Sequence, residues 1–482
     1  MSIASTSAPP TSGPPTSGPP TSTPPTSTPP TSAPALQAGS AGSALPAVAS
    51  AGLVVPTVGG PLLDYAPFDH AASTPALVGV QAAVDTAART YSSVHRGRGW
   101  ASQVTSAYYE AAREEVARFV GAREDDVVVF TRNTTDALTL LARSLPRATT
   151  VFVFGSDHHA TLLAWNPRHT VRLPVPASTR DAEALLADAL RRTAGVTGPR
   201  LVVLTGASNV TGEHWPVADL AAVARAHGAR VALDAAQLAP HAPVDLETLG
   251  ADYVAFSGHK LYAPYGAGVL AGRRDWLDAA PPYLAGGGAT AEVSARSVRW
   301  ETAPARHEGG SPNVLGAVAL AAACAALREH RGAVAAHEQR LTTRLVTGLR
   351  AIPGVQTYSL FGDDSERAPV VPFTVDGLDS GLVSAALSAE HAIGVRDGRF
   401  CAHLLVDALL EDSDHTDSAG APPVTAVRVS AGLATTDEHV DRLLGAVAAL
   451  ASDGPGTAYE QVDGLGWRPV HSGGPVTVDL PW

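Results

Sequence analysis

Between Asp126 and Ser257 the chain alternates short β-branched runs with longer Ala/Leu/Arg-rich runs, and few folds accommodate that alternation. The apolar spacing predicts strands over 126–131, 150–154, 200–205, 230–233 and 253–256, and helices over 106–120, 134–144, 180–194 and 217–227. Gly, Pro, Asn or Asp marks the changes between them. Strands and helices taken in turn build a mainly parallel, helix-flanked sheet, so the expected fold class is α/β. Ligands of such sheets lie beyond the carboxyl ends of the strands.

A site of that kind collects polar residues from the turns that follow several strands, and this sequence supplies them. Thr131-Arg132-Asn133-Thr134-Thr135 follows the first strand, Ser156-Asp157-His158-His159 the second and Ser208-Asn209 the third. Asp234 and Gln237 follow the fourth, and Ser257, His259 and Lys260 the fifth. Lys260 stands apart, because the other 33 of the 34 Lys+Arg residues are arginine. A guanidinium stays protonated and cannot act as an amine nucleophile, whereas a desolvated ε-amine can lose its proton and form a Schiff base. The simplest carbonyl partner for such a lysine is pyridoxal 5′-phosphate. That cofactor also needs a carboxylate for its pyridine nitrogen, donors for its phosphate and an aromatic face over its ring.

Each need has a candidate. Asn133-Thr134-Thr135 opens a helix, whose N-H groups and hydroxyls suit a phosphate, although the same residues also make an ordinary N-cap. Asp234, directly after an apolar strand, is a costly buried carboxylate unless a cation such as a pyridinium pairs with it. His158 suits stacking on the ring, and Ser257 and His259 suit phosphate contact, with turn chemistry as the alternative. No metal site is expected, since His158-His159 lacks a third ligand at suitable spacing.

Composition narrows the remaining classes. A formal charge of −12 leaves no basic stripe for nucleic acid or anionic membranes. No apolar run reaches the ~18 residues of a membrane span, and the N-terminus lacks a secretory pattern. The two cysteines, Cys324 and Cys401, are too few for a disulfide framework and fit a reducing compartment, so the cytoplasm is the expected location. Residues 8–34 repeat a Pro-Pro-Thr-Ser unit with nothing apolar to bury, so 1–52 reads as a disordered arm. A large cofactor domain is expected over 53–329, its first segment packing partly on the smaller domain. A smaller C-terminal α+β domain follows over 330–452, and a tail over 453–482.

From about Tyr65 to Ser452 the sequence resembles the class V aminotransferase family of fold-type I pyridoxal-phosphate enzymes, and within it the cysteine desulfurase and selenocysteine lyase branch. The stretches that carry the resemblance are Phe68-Asp69-His70-Ala71-Ala72-Ser73, Tyr91-Ser92-Ser93-Val94-His95-Arg96-Gly97, Thr131-Arg132-Asn133-Thr134-Thr135-Asp136 and Asp157-His158-His159-Ala160. They continue with Ala207-Ser208-Asn209-Val210-Thr211-Gly212, Asp234-Ala235-Ala236-Gln237, Ser257-Gly258-His259-Lys260-Leu261-Tyr262 and Glu308-Gly309-Gly310-Ser311-Pro312-Asn313. The resemblance implies that Lys260 is the Schiff-base lysine, Asp234 pairs with the pyridine nitrogen and His158 stacks on the ring. It places Gln237 and Asn209 near the cofactor's phenolic oxygen or the substrate, and Thr134, Thr135, Ser257 and His259 on the phosphate. It further implies that Ser311 reaches the phosphate of a neighbouring subunit, hence a homodimer, and that Arg428 clamps the carboxylate of a small amino-acid substrate.

The family's desulfurases carry a persulfide-forming cysteine at the place of Cys401, an arrangement that brings in a sulfur-acceptor protein as partner. Close relatives commonly have histidines at the two positions before it, where this chain has Arg399 and Phe400. Cys324 lies in an apolar helical pattern and reads as core. For Cys401 two readings stay open, a catalytic thiol or a structural one. With the first, the enzyme takes sulfur or selenium from its substrate and releases alanine. With the second, it is an aminotransferase, epimerase or β-lyase of the same family. A binding protein without turnover would have no use for the full set Lys260, Asp234, His158 and Arg428.

Overall fold

The computed structural model describes residues 44–60, 62–362, 365–470 and 480–481. Most of the proline-rich arm expected to be disordered lies outside the described residues. Among the described residues, Ala47 accepts from the Val78 amide at 2.9 Å, and the buried Val48 bridges Leu77.

The larger sheet has seven strands. Their order across the sheet is Asp126–Thr131, Gly268–Arg273, Tyr253–Ser257, Arg230–Asp234, Arg200–Thr205, Thr150–Phe154 and Thr170–Leu173. Every neighbouring pair from Tyr253–Ser257 to Thr170–Leu173 is parallel. Gly268–Arg273 runs antiparallel to both of its neighbours. The strands at its centre are buried apart from the half-buried Arg200 and Arg230 that open two of them, as expected of a sheet covered by helices on both faces.

Two of these strands are absent from the sequence reading, and both omissions have a cause. Thr170–Leu173 is a four-residue edge strand with one buried residue. Gly268–Arg273 contains two glycines, which ordinarily argue against a strand interior. Here the first glycine is needed: a Cβ on Gly268 would lie 2.5 Å from the Cα of Asn133, so its absence lets the strand press against the start of the Thr134–Ser144 helix. The helix expected over 106–120 spans Trp100–Phe119. Its first turns hide polar residues rather than apolar ones, with the buried Thr105 hydroxyl donating to the carbonyl of Thr90 at 2.9 Å.

Beyond the long helices Val314–Glu329 and Arg331–Arg350 lies an antiparallel four-stranded sheet, ordered Val355–Thr357, Val370–Val375, Ala426–Ser430 and Arg396–Gly398. Helices Ser380–His391 and Asp437–Asp453 join it in a second apolar core containing Leu345, Phe373, Val383, Val429, Leu443 and Val447. Phe68, from the N-terminal side, is buried in that core and hydrogen-bonds with Gly394 and Ser430. Residue 69 is thereby carried to the seam between the two sheets. After Asp453 the chain forms a hairpin, Tyr459–Val462 with Gly466–Pro469, tied to the Ser380–His391 helix by the Tyr459 hydroxyl donating to Glu390. Among the described residues no helix is long and apolar enough to cross a membrane.

Candidate active site

The Thr150–Phe154 strand has neighbours reached by chain excursions in opposite directions, which opens a crevice beyond its carboxyl end. A cavity of about 200 Å³ lies there. Thr134, Thr135, His158, Asn209, Asp234, Gln237, Ser257, His259, Lys260, Cys401 and Arg428 all border it. Of the candidates named from sequence, only Ser311 does not. It lines a separate cavity of about 380 Å³ with Tyr109, Asp136, Tyr283 and Glu308.

Lys260 ends a single 3₁₀ turn, Gly258–Lys260, directly after the strand that ends at Ser257. Desolvation pushes its amine down to about 8. The Asp234 carboxylate opposes that shift, and the guanidiniums of Arg428 and Arg396 add to it. Asp234 is buried at the end of its strand with both oxygens engaged. The Thr161 hydroxyl donates to Oδ2 at 2.7 Å and the Ala236 amide to Oδ1 at 3.0 Å. His158 caps the short His159–Leu163 helix, its Nδ1 accepting from the Ala160 amide at 3.0 Å. Desolvation, and then the charge of Lys260, hold this ring down to about 4, so it is neutral at physiological pH.

The Thr134–Ser144 helix presents its N-terminus to the same space. Asn133 caps it by accepting from the Asp136 amide, and the Ser257 hydroxyl oxygen accepts from the Thr134 amide at 2.7 Å. That second bond fastens the helix start to the lysine turn. His259 lies beside Ser73, and burial lowers its pKa. Gln237 donates from Nε2 to the carbonyl of Ala71 at 2.6 Å, and Asn209 donates from Nδ2 to the carbonyl of Phe400 at 2.8 Å.

Arg428 closes the cavity from the smaller sheet. It is buried, donates to the Asn209 carbonyl at 2.9 Å and to Asp69 at 2.8 Å, and its Nε has no partner among the described residues. Cys401 is exposed on the rim, in a turn whose carbonyl accepts from the His159 amide at 2.8 Å. Cys324 is fully buried, and burial pushes its thiol well above the ordinary range.

Five further residues outside the named candidates shape the site. Asp69 pairs with an arginine 359 positions away, a partnership that no local pattern reveals. Arg396 stands opposite Arg428 in adjacent strands, and both line the cavity. Phe400 lies beneath the Arg428 guanidinium, 5.1 Å from ring centre to carbon. Thr161 orients Asp234. Asp157 is buried and accepts from the Thr205 hydroxyl and the Phe154 amide at 2.8 Å each. Desolvation lifts its carboxyl to about 7. Among these, the turn after an apolar strand was a legible signal only for Asp157.

An isolated, desolvated amine, an oriented buried carboxylate, a neutral imidazole and a helix N-terminus flanked by hydroxyls form a donor set that fits pyridoxal phosphate.

Comparison with known proteins agrees with this chemistry. The aminotransferase class-V family model matches residues 67–443. A probable cysteine desulfurase of Aeropyrum pernix is 39% identical over 360 residues, 70% of this chain and 85% of that protein. One of Vibrio cholerae is 33% identical over 385 residues, covering 76% and 89%. The apo structure of a cysteine desulfurase from Thermococcus onnurineus NA1 superposes with a TM-score of 0.70 at 31% identity, covering 80% of this chain and 94% of that one. The S-sulfonic acid form of an Escherichia coli cysteine desulfurase gives 0.67 at the same identity and coverage. The chain thus has the fold-type I architecture and belongs to the aminotransferase class-V family of pyridoxal-phosphate-dependent enzymes.

Proposed function

We propose that this enzyme is a cysteine desulfurase: it removes sulfur from L-cysteine, or selenium from the selenium analogue, and releases alanine, with Cys401 receiving the chalcogen. The observation that carries the reading is the exposed thiol of Cys401 on the rim of the cavity that Lys260 and Arg428 also line.

Pyridoxal phosphate, held at Lys260, would supply the electron sink that makes the substrate Cα–H acidic and its Cβ–S bond labile. Its phosphate would rest on Thr134, Thr135, Ser257 and His259, its ring nitrogen on Asp234 and its ring face on His158, with Gln237 and Asn209 at its edge. Arg428 offers a planar fork to the substrate carboxylate, for which bidentate pairing is the favoured geometry. The Lys260 amine, once released and with its basicity lowered to about 8, is suited to take the Cα proton and return it. Sulfur leaves by transfer: an S–S bond forms between Cys401 and the substrate sulfur as the substrate C–S bond breaks. The C–S electron pair stays on carbon, which takes up a proton, and the products are alanine and a Cys401 persulfide. A sulfur-acceptor protein would then collect the persulfide. We take the working unit to be a cytoplasmic homodimer in which Ser311 meets the partner's phosphate site; sedimentation as a monomer with full cofactor content would refute that.

The test incubates the purified holoenzyme with L-cysteine and measures alanine, persulfide, pyruvate and keto acid separately. Alanine and persulfide are expected in equal amounts, and Cys401→Ala is expected to abolish both while retaining the cofactor. If Cys401→Ala keeps full turnover on the best substrate found, the thiol is structural and the enzyme is an aminotransferase, epimerase or β-lyase.

A further inference from the structure

Arg399 and Phe400 replace the residues that commonly precede the cysteine in close relatives, and the proposed chemistry uses neither. Phe400 and Cys401 are consecutive non-glycine residues in the left-handed region, with φ of 49° and 55°. Side chains rarely adopt that conformation, and it persists where the surroundings over-determine it. The surroundings here can be named. The Ala402 amide donates to the Arg399 carbonyl at 2.9 Å, closing the turn, and the His159 amide donates to the Cys401 carbonyl. Asn209 Nδ2 donates to the Phe400 carbonyl, and Arg399 forms an ion pair with Asp407 in the following helix, His403–Leu410. The Phe400 ring itself is 4% exposed, packed against the Arg428 guanidinium.

Two of these ties lead to one side chain. Arg428 faces the Phe400 ring, and it donates to the carbonyl of Asn209, whose side chain holds the Phe400 carbonyl. Asp69 already pairs with the guanidinium at 2.8 Å, so a second carboxylate arriving at Arg428 draws further on the charge that the ring feels, and a guanidinium more fully neutralised holds an aromatic face more weakly. Phenylalanine is suited to this contact because it offers a π face without a charge of its own to repel the guanidinium.

We propose that Phe400 is a positioning residue that couples occupation of Arg428 to the thiol turn: an empty Arg428 holds the turn in its strained form, and a bound carboxylate releases it. The inference rests on the reading of Arg428 and Cys401 given above, but it is tested on thiol accessibility rather than on turnover. The holoenzyme is alkylated with iodoacetamide with and without L-alanine, a ligand with the carboxylate and no sulfur. Mass spectrometry follows Cys401, with buried Cys324 as internal control. L-alanine is expected to accelerate alkylation of the wild type. Phe400→Ala is expected to react roughly thirtyfold faster without ligand, the size of a lost desolvated cation–π contact, and to gain nothing from L-alanine. Phe400→Tyr, which keeps the aromatic face, should retain the wild-type response if the alanine variant folds poorly.

If L-alanine binds, as seen by a change in cofactor absorbance, yet leaves the wild-type alkylation rate unchanged or slower, the coupling is overturned. An acceleration of wild-type size in Phe400→Ala overturns the role of the ring. If L-alanine does not bind at all, the substrate reading fails and the inference falls with it; if it binds without changing alkylation while the wild type still releases alanine from L-cysteine, the inference alone fails.

Discussion

Lys260 permits a direct titration, because no other lysine competes for an amine reagent. Burial lowers its amine from an ordinary 10.5 to about 8. At pH 7 the neutral fraction should therefore be about one in ten, about 300-fold more than for a free lysine. The assay is the initial rate of modification of cofactor-free protein by an amine reagent between pH 6 and 11, with Lys260→Arg subtracted to remove the α-amine. Two substitutions should move the midpoint in opposite directions. Asp234→Asn removes the charge that holds the proton on and should lower it, while Arg428→Met removes a charge that drives the proton off and should raise it. The same shift has a consequence for stability. Because the folded pKa lies below the unfolded one, the unfolded chain binds more protons between about pH 8 and 10.5, so cofactor-free protein should gain stability as pH rises through that window. The upper bound is about 3 kcal/mol, reduced by whatever water the cavity admits, and Lys260→Met should remove the dependence. A midpoint near 10.5, or shifts of the same sign in the two variants, would refute the electrostatic account of the site.

Other contacts give further expected outcomes. Gly268→Ala should weaken pyridoxal phosphate binding at least tenfold, measured by titrating cofactor-free protein, because its Cβ would force the Asn133 backbone and the helix start away from the cavity; undiminished affinity would mean that the helix N-terminus does not hold the phosphate. Glu213→Ala should cost about 3 kcal/mol, read as a lowered Tm. Its buried carboxylate accepts from the Ser359 hydroxyl and from the amides of Leu360 and Phe361, which the substitution leaves unpaired.

How much of this was legible in the sequence follows from the range of the interactions. The strands Asp126–Thr131, Thr150–Phe154 and Arg200–Thr205 end where apolar spacing places them, because each is set by burial against neighbours of the same pattern. The residues that follow them reach the cavity for the same reason: a parallel sheet brings its carboxyl ends together whatever the loops contain. Lys260 was legible through composition, since a chain that uses arginine elsewhere keeps a lysine here. Gly268–Arg273 was not, because Gly268 answers to the approach of Asn133 from more than 130 residues earlier and Gly272 to the backbone of Asp252 and Tyr253.

The side of the cavity built by the smaller sheet was legible only in part, and the reason is electrostatic. Arg396 and Arg428 stand opposite each other in adjacent antiparallel strands, a like-charge arrangement that is unfavourable on an ordinary sheet face. Asp69 offsets one of the two charges through a contact that depends on Phe68 being anchored in the smaller core, so the pairing exists only after both sheets have formed. A surplus of positive charge on a cavity wall suits an anion, and it supports the carboxylate substrate proposed above on grounds that residue types and spacing alone do not supply. The thiol turn is held by the same wall, through Phe400 against Arg428 and Asn209 against the Phe400 carbonyl. On the function proposed above, recognition of the carboxylate and placement of Cys401 would belong to one packed unit, in which substituting Arg428 should disturb the thiol although the two residues are 27 positions apart.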